Sequence, residues 1–160
     1  MWAGPQAGRG TTLIGMNKGG TTVEHGLRVT MVRAEHSAGG PTQDGATVYL
    51  GEPVGFVLEL EDGLRLYHAG DTDAFGDMAL IRELHRPDLA FLPIGGHYTM
   101  GPHGAAKAVE LLGVSRVVPM HYGTFDALAG TPDQLRSALK VRGLADVQVI
   151  SPEPGEPVEL

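Results

Sequence analysis

Histidine and aspartate residues follow several predicted strands of this sequence, and their side chains suit metal-binding or acid–base chemistry. Four of them each come after a different predicted strand: His36, Asp71, His97 and His121. Loops at the carboxyl ends of strands are where layered α/β folds assemble their sites, so we expect these four residues to meet at one edge of a sheet. Small neighbours beside His36, Asp71 and His121 leave room for an ion and its water.

The residue types narrow the metal chemistry. The chain has no cysteine, which excludes disulfides and any site built on thiolates. Two imidazoles and one carboxylate form a ligand set that suits zinc, manganese or iron(II). The sequence therefore predicts a divalent-metal site made of His36, Asp71 and His121.

The stretch from His68 to Asp73, HAGDTD, allows other interpretations. An Asp-x-Asp pair after a strand is also typical of phosphatases whose first aspartate is a nucleophile, although no suitable lysine and acidic pair follows in this chain. Asp73 is expected to cap the helix after it. His68 is expected to be a supporting or buried residue rather than a direct ligand, and His25, His85 and His103 are expected to be structural.

Hydrophobic periodicity gives an order of strands followed by strand–helix units. Predicted strands cover 27–32, 54–60, 64–69, 88–94, 116–119, 147–150 and 158–160, and predicted helices begin near Met78, at Ala105 and at Leu135. Asp62-Gly63 indicates a hairpin turn. Pro87 is expected to end the first helix, and Thr131 and Pro132 to begin the third. Residues 35–52 are expected to form a long polar loop. This order predicts an α/β or α+β sandwich.

Composition limits the possible partners. A chain of 160 residues predicts one domain. A formal charge of −7 argues against an extended phosphate-binding surface, so nucleic acid is not an expected partner. The apolar runs are too short to span a membrane, and no export signal is evident, so we expect a cytoplasmic protein without membrane contact.

Six blocks of sequence resemble segments of a known family and occur in the same order as in that family. They are GMNKGGT, AEHSAG, GEPVGFVLELEDG, YHAGDTDAFGDMALI, LAFLPIGGHYTMGP and VVPMHYGTF. Together they resemble the C-terminal half of a family of uncharacterised metal-dependent hydrolases with the metallo-β-lactamase fold, an αββα sandwich. The resemblance covers residues 13–160 and leaves 1–12 as an unmatched segment.

The resemblance implies specific roles. His36, Asp71 and His121 would be metal ligands, with Asp71 bridging two ions in a complete site. His97 and Tyr98 would contact the substrate, and His97 would also transfer protons. The implied reaction is attack by a metal-bound hydroxide on a small ester, lactone, amide or phosphoester, with zinc as the expected metal and manganese or iron as alternatives.

One motif of the family, His-x-His-x-Asp-His, does not occur in this sequence. We therefore expect a truncated chain that binds metal weakly and has little activity alone. The alternative function is a non-catalytic half-domain that needs a second chain or a second copy to complete its metal site. An uncovered apolar sheet face would favour a homo-oligomer or pairing with a missing N-terminal half.

Overall fold

The computed structural model describes residues 10–158, which form strands and helices in the predicted order. The strands are β1 (Thr21–Glu24), β2 (Leu27–Arg33), β3 (Gly39–Pro41), β4 (Thr47–Tyr49), β5 (Val54–Glu59), β6 (Arg65–His68), β7 (Leu89–Pro93), β8 (Arg116–Met120) and β9 (Gln148–Val149). The helices are α1 (Met78–His85), α2 (Pro102–Leu112) and α3 (Pro132–Val141).

Seven of the strands form one mixed sheet in the order β1-β2-β5-β6-β7-β8-β9. Neighbours from β1 to β6 are antiparallel, and neighbours from β6 to β9 are parallel. Two successive antiparallel pairings restore the strand direction, so β2 runs the same way as β6, β7 and β8. These four strands therefore end at one edge of the sheet, which we call the carboxyl edge.

The hairpin predicted at Asp62-Gly63 is confirmed. Gly63 has a φ of 87°, a left-handed conformation that glycine adopts without steric cost. The Leu60 N–H donates to the Leu64 carbonyl at 2.9 Å. The turn fixes the register of β5 against β6, so that Phe56 pairs with His68.

One face of the sheet carries the buried core. Thr30, Val57, Tyr67, Ala90 and Val117 occupy matching positions across five strands, and all are buried. Apolar side chains of the three helices join this core. Alanines at three buried positions of α2 let the helix approach the sheet closely.

The opposite face of the sheet is apolar as well. We call this side of the sheet the open face. Its side chains alternate along the strands with the buried ones of the core, and they are Val29, Met31, Phe56, Leu58, Leu66, Phe91 and Val118. Each is half-buried, and none belongs to the core cluster with the helices. The described residues thus supply one sheet with its helices on one side.

The three predicted helices and the buried strands of β7 and β8 are confirmed, with α2 beginning at Pro102 instead of Ala105. Pro87 follows the end of α1 as predicted, and Thr131 caps α3 through a reciprocal bond pair with Gln134. Within residues 10–158, no helix is long and apolar enough to cross a lipid bilayer.

The predicted strands differ from the observed ones in three places. Residues 35–52 are not a plain loop, because they contain the short hairpin of β3 and β4. Strand β1 was not predicted, since its side chains are mostly exposed at the sheet edge and lack alternating burial. Of the strand predicted at 158–160, Val158 is not in a strand, and 159–160 lie outside the described residues, as do residues 1–9 of the predicted N-terminal segment. The division at residue 12 stays a prediction.

Candidate functional site

The four residues singled out in the sequence follow strands that end at the carboxyl edge. His36 comes after β2, Asp71 after β6, His97 after β7 and His121 after β8. The prediction that they share one edge of the sheet is confirmed by the strand directions. Their side chains, however, are not all in contact.

Asp71 and His121 form the closest pair. His121 Nε2 lies 3.8 Å from Asp71 Oδ1, and the two side chains are 31% and 52% exposed. This separation is too long for a hydrogen bond. It is compatible with two ligands of one ion, since zinc binds nitrogen and oxygen at about 2.0 to 2.2 Å. The pair could therefore supply two donors to one divalent ion.

The backbone holds His121 in an uncommon conformation. Its φ is 55°, in the left-handed region that residues with a side chain adopt rarely. Gly95 packs against it so closely that a Cβ on Gly95 would lie 2.2 Å from the His121 carbonyl oxygen. The other ring nitrogen, Nδ1, is buried and has no hydrogen-bond partner among the described residues. Tight packing thus fixes the direction in which Nε2 points.

His36 is turned away from this pair. Its Nε2 lies 2.9 Å from the Tyr98 carbonyl oxygen and its Nδ1 lies 2.9 Å from the Ser37 carbonyl oxygen. Within residues 10–158, no three His, Cys, Asp or Glu side chains lie close enough to form a metal-binding group. The donor types fit a divalent metal, but only Asp71 and His121 are arranged for one here. His36 would have to release the Tyr98 carbonyl to join them.

His97 and Tyr98 lie in the loop after β7, and both side chains are exposed. Their rings meet edge to face with centroids 4.4 Å apart, and His97 has a φ of 58°. With His36 and Asp73 they line a cleft of about 540 Å³. The position is suitable for contact with a ligand beside the carboxyl edge.

A second cleft has His121 in its lining. It measures about 820 Å³ and is lined in part by Tyr122, Arg136 and Glu153. Arg136 donates to Asp133, to the Val149 carbonyl and to Ser151. Its guanidinium charge is therefore already engaged on the wall of this cleft.

One of the two expectations about HAGDTD is wrong. Asp73 does not cap α1, because Asp77 occupies that position and Asp73 Oδ1 accepts instead from the Ala74 N–H at 2.7 Å. His68 is exposed rather than buried, and its ring stacks on Phe91 at 5.8 Å on the open face. Its Nδ1 accepts from the Gly70 N–H at 3.2 Å, so it does support the backbone next to Asp71.

Sequence reasoning treated Thr72 as a small neighbour and overlooked it. The side chain is fully buried and accepts a hydrogen bond from the Glu35 N–H, next to His36 in the chain. No spacing rule identifies a threonine that bonds to a loop 37 residues away. The only signal was its place between Asp71 and Asp73.

Charge near His36 is balanced by an ion pair. Arg33 Nη2 donates to Glu35 Oε2 at 2.7 Å. This hydrogen bond, with the negative charge of Glu35, raises the pKa of Arg33 above its usual value. The guanidinium thus offsets one carboxylate beside the cleft.

The fold and site place the chain in a known family. It matches the model of the beta-lactamase superfamily domain over residues 3–122, and it belongs to this family. A fold neighbour at 13% identity, the metallo-beta-lactamase fold protein YhfI from Bacillus subtilis, covers 88% of this chain and 52% of its own, with a TM-score of 0.61. The predicted metallo-β-lactamase-like fold class is confirmed.

Closer relatives are named as hydrolases. The chain is 52% identical over 141 residues to a "UPF0173 metal-dependent hydrolase" of Rubrobacter xylanophilus, covering 88% of this chain and 58% of that one. It is 49% identical to a protein of the same name from Archaeoglobus fulgidus, over 91% of this chain and 62% of that one. Igni18, "a novel metallo hydrolase" from Ignicoccus hospitalis, aligns with a TM-score of 0.76 at 39% identity, over 94% of this chain and 61% of its own.

The chain therefore spans about 60% of the length of these relatives.

Proposed function

We propose that this protein is a metal-dependent hydrolase whose divalent metal is held by Asp71 and His121, with His36 as the third ligand. The observation that carries this proposal is the placement of Asp71 Oδ1 and His121 Nε2, which lie 3.8 Å apart at the carboxyl edge. The names of relatives at 49–52% identity support the reaction class.

Zinc is the proposed metal because imidazole and carboxylate without thiolate form a common zinc ligand set. Manganese and iron(II) accept the same donors and remain in the experiment below as alternatives. Asp71 would hold the metal through its carboxylate, which solvent can reach because the side chain is 52% exposed.

In this proposal some residues hold the metal and others contact the substrate. A bound divalent ion polarises a carbonyl or phosphoryl oxygen and lowers the pKa of water. His97 and Tyr98 line the same cleft as His36, where they contact the substrate, and His97 transfers a proton to or from the substrate. The substrate is a small ester, lactone, amide or phosphoester, and the net charge of −7 disfavours nucleic acid. The cytoplasmic location stays a prediction.

A second function is favoured by the open face. Seven half-buried apolar side chains occupy one face of the sheet, and no group of three metal donors is assembled within residues 10–158. An apolar face of this kind favours association with another sheet. The alternative is therefore a half-domain that completes its site only with a second chain or a second copy.

The first experiment measures metal content, zinc affinity and hydrolysis of an ester and phosphodiester panel with added zinc or manganese. We expect the wild type to bind zinc and His121→Asn to lose more zinc affinity than the roughly 10- to 100-fold that a supporting group contributes. His25→Asn is the matched control, because His25 and His121 both have a positive φ, 52° and 55°, which asparagine tolerates.

Metal-dependent turnover by the monomeric chain, measured at a concentration where sedimentation shows no association, would exclude the half-domain alternative. Zinc binding without turnover would favour that alternative over the hydrolase. Equal zinc affinity for His121→Asn and His25→Asn would refute the ligand assignment.

The second experiment tests the open face by sedimentation velocity. We expect the wild type to self-associate with rising concentration and Phe91→Lys to shift it to monomer. Val141→Lys is the control, since this side chain is 85% exposed at the end of α3. A wild type that stays monomeric at every concentration would exclude the homo-oligomer.

A further inference from the structure

Thr72 is buried between the loops that carry the candidate site. Besides Tyr67, it and Thr30 are the two buried polar residues among residues 10–158, and the side chain of Thr72 has no exposure at all. Burying a hydroxyl is unfavourable unless it is hydrogen-bonded. An apolar side chain such as valine would fill the same space, so the hydroxyl itself needs an explanation.

The hydroxyl makes two hydrogen bonds. It accepts from the Glu35 N–H at 2.9 Å and donates to the Asp73 carbonyl oxygen at 2.8 Å. The Asp73 N–H in turn donates to the Glu35 carbonyl oxygen at 2.9 Å. Glu35 directly precedes His36, so these bonds join the loop of His36 to the loop of Asp71.

The backbone of Thr72 also hydrogen-bonds to a third loop. Its carbonyl oxygen accepts from the Met100 N–H at 3.1 Å, and the Met100 carbonyl accepts from the Gly96 N–H at 3.2 Å. This closes the loop that carries His97 and Tyr98. We call the bonds among Glu35, Thr72, Asp73 and Met100 the Thr72 network.

We infer that Thr72 is a positioning residue for the metal site, holding the His36, Asp71 and His97 loops in one arrangement. The inference rests on the proposed function. Groups that orient metal ligands typically contribute about 10- to 100-fold to metal affinity. Thr72 touches neither metal nor substrate itself, so its effect passes through the three loops.

The test uses the full chain, with zinc titrated by calorimetry and amide hydrogen exchange measured by NMR. Thr72→Val keeps the shape and removes the hydroxyl, and Thr72→Ser restores it. Thr30→Val is the matched control, because among residues 10–158 the Thr30 hydroxyl bonds only to Thr21 Oγ1, at 2.9 Å on strand β1. It removes a buried hydroxyl that is not part of the Thr72 network.

We expect Thr72→Val to weaken zinc binding about 10- to 100-fold and to speed exchange in the His36 and Asp71 loops, which the hydroxyl joins, while α3 is unchanged. Thr72→Ser should stay close to wild type in both measurements, as should Thr30→Val in zinc affinity. Wild-type affinity and loop exchange in Thr72→Val would overturn the inference, as would an equal loss in Thr30→Val.

Failure of the proposed function gives a different result. If the wild type binds none of zinc, manganese and iron(II), that function is refuted, and loop exchange in Thr72→Val alone decides whether Thr72 positions the loops. If Thr72→Val does not fold, amide hydrogen exchange in the wild type decides whether Thr72 positions the loops. The amides of Glu35, Asp73 and Met100 must then open as one unit, and independent opening would overturn the inference.

Discussion

Tyr67 places a hydroxyl in the core without a hydrogen-bond partner. Its side chain is fully buried in β6, and Tyr67 Oη makes no hydrogen bond to any described residue. Burial raises the pKa of this phenol well above its usual value of 10.0. Replacing the residue with phenylalanine removes the oxygen and keeps the ring.

The expected effect is a gain in stability. A buried hydroxyl without a partner costs about 1–3 kcal/mol in protein mutational data. Removing the oxygen loses a few contacts of about 0.1–0.2 kcal/mol each. We expect Tyr67→Phe to raise the free energy of unfolding by about 1 kcal/mol, which raises Tm by roughly 2–4 °C in a domain of this size.

Urea and thermal denaturation measure this change, with Tyr49→Phe as the control, because Tyr49 is 69% exposed. The difference should grow at alkaline pH. Above about pH 10 the unfolded tyrosine releases a proton that the folded one keeps, so wild-type stability falls there and the phenylalanine variant lacks this loss. A variant less stable than wild type by about 1 kcal/mol would refute the reasoning and show that the hydroxyl is bonded in solution.

Three further changes test the packing and the capping. Thr131→Ala removes the cap of α3 and should cost about 1 kcal/mol in urea denaturation, while Thr131→Ser retains most of it. Gly95→Ala forces a Cβ to 2.2 Å from the His121 carbonyl and should cost about 1–3 kcal/mol, whereas Gly76→Ala meets nothing within 4 Å and is the control. Burial lowers the pKa of His85, so the unfolded state binds the proton more readily and the free energy of unfolding falls as pH drops below about 6.5. His85→Gln should lose less of its free energy of unfolding at acid pH than wild type does. An identical dependence of stability on pH in the two proteins would contradict this.

Local sequence signals predicted most of the elements because each depends on neighbours in the chain. The Asp62-Gly63 turn, the buried runs of β7 and β8, and the cap at Thr131 all form from residues within a few positions of one another. Strand β1 escaped prediction, since an exposed edge strand is stabilised by its partner rather than by its own pattern.

For the site, the sequence predicted which residues reach the carboxyl edge but not how they face one another. Strand order and direction bring Asp71 within 3.8 Å of His121, whereas His36 bonds to a carbonyl of the His97 loop instead. The outcome depends on loops that are distant in sequence, so spacing carried no information about it.

The sequence by itself determined the chemistry available to this protein: histidine and aspartate donors, no thiol, and strands that each end in one of them. Only the tertiary structure decided how those donors are arranged. The bonds of Thr72 to Glu35 and Met100, and the contact of Gly95 with His121, form between segments that meet only in the folded chain. Hydrogen bonds and close packing depend on positions to within a fraction of an ångström, which residue types and spacing do not specify.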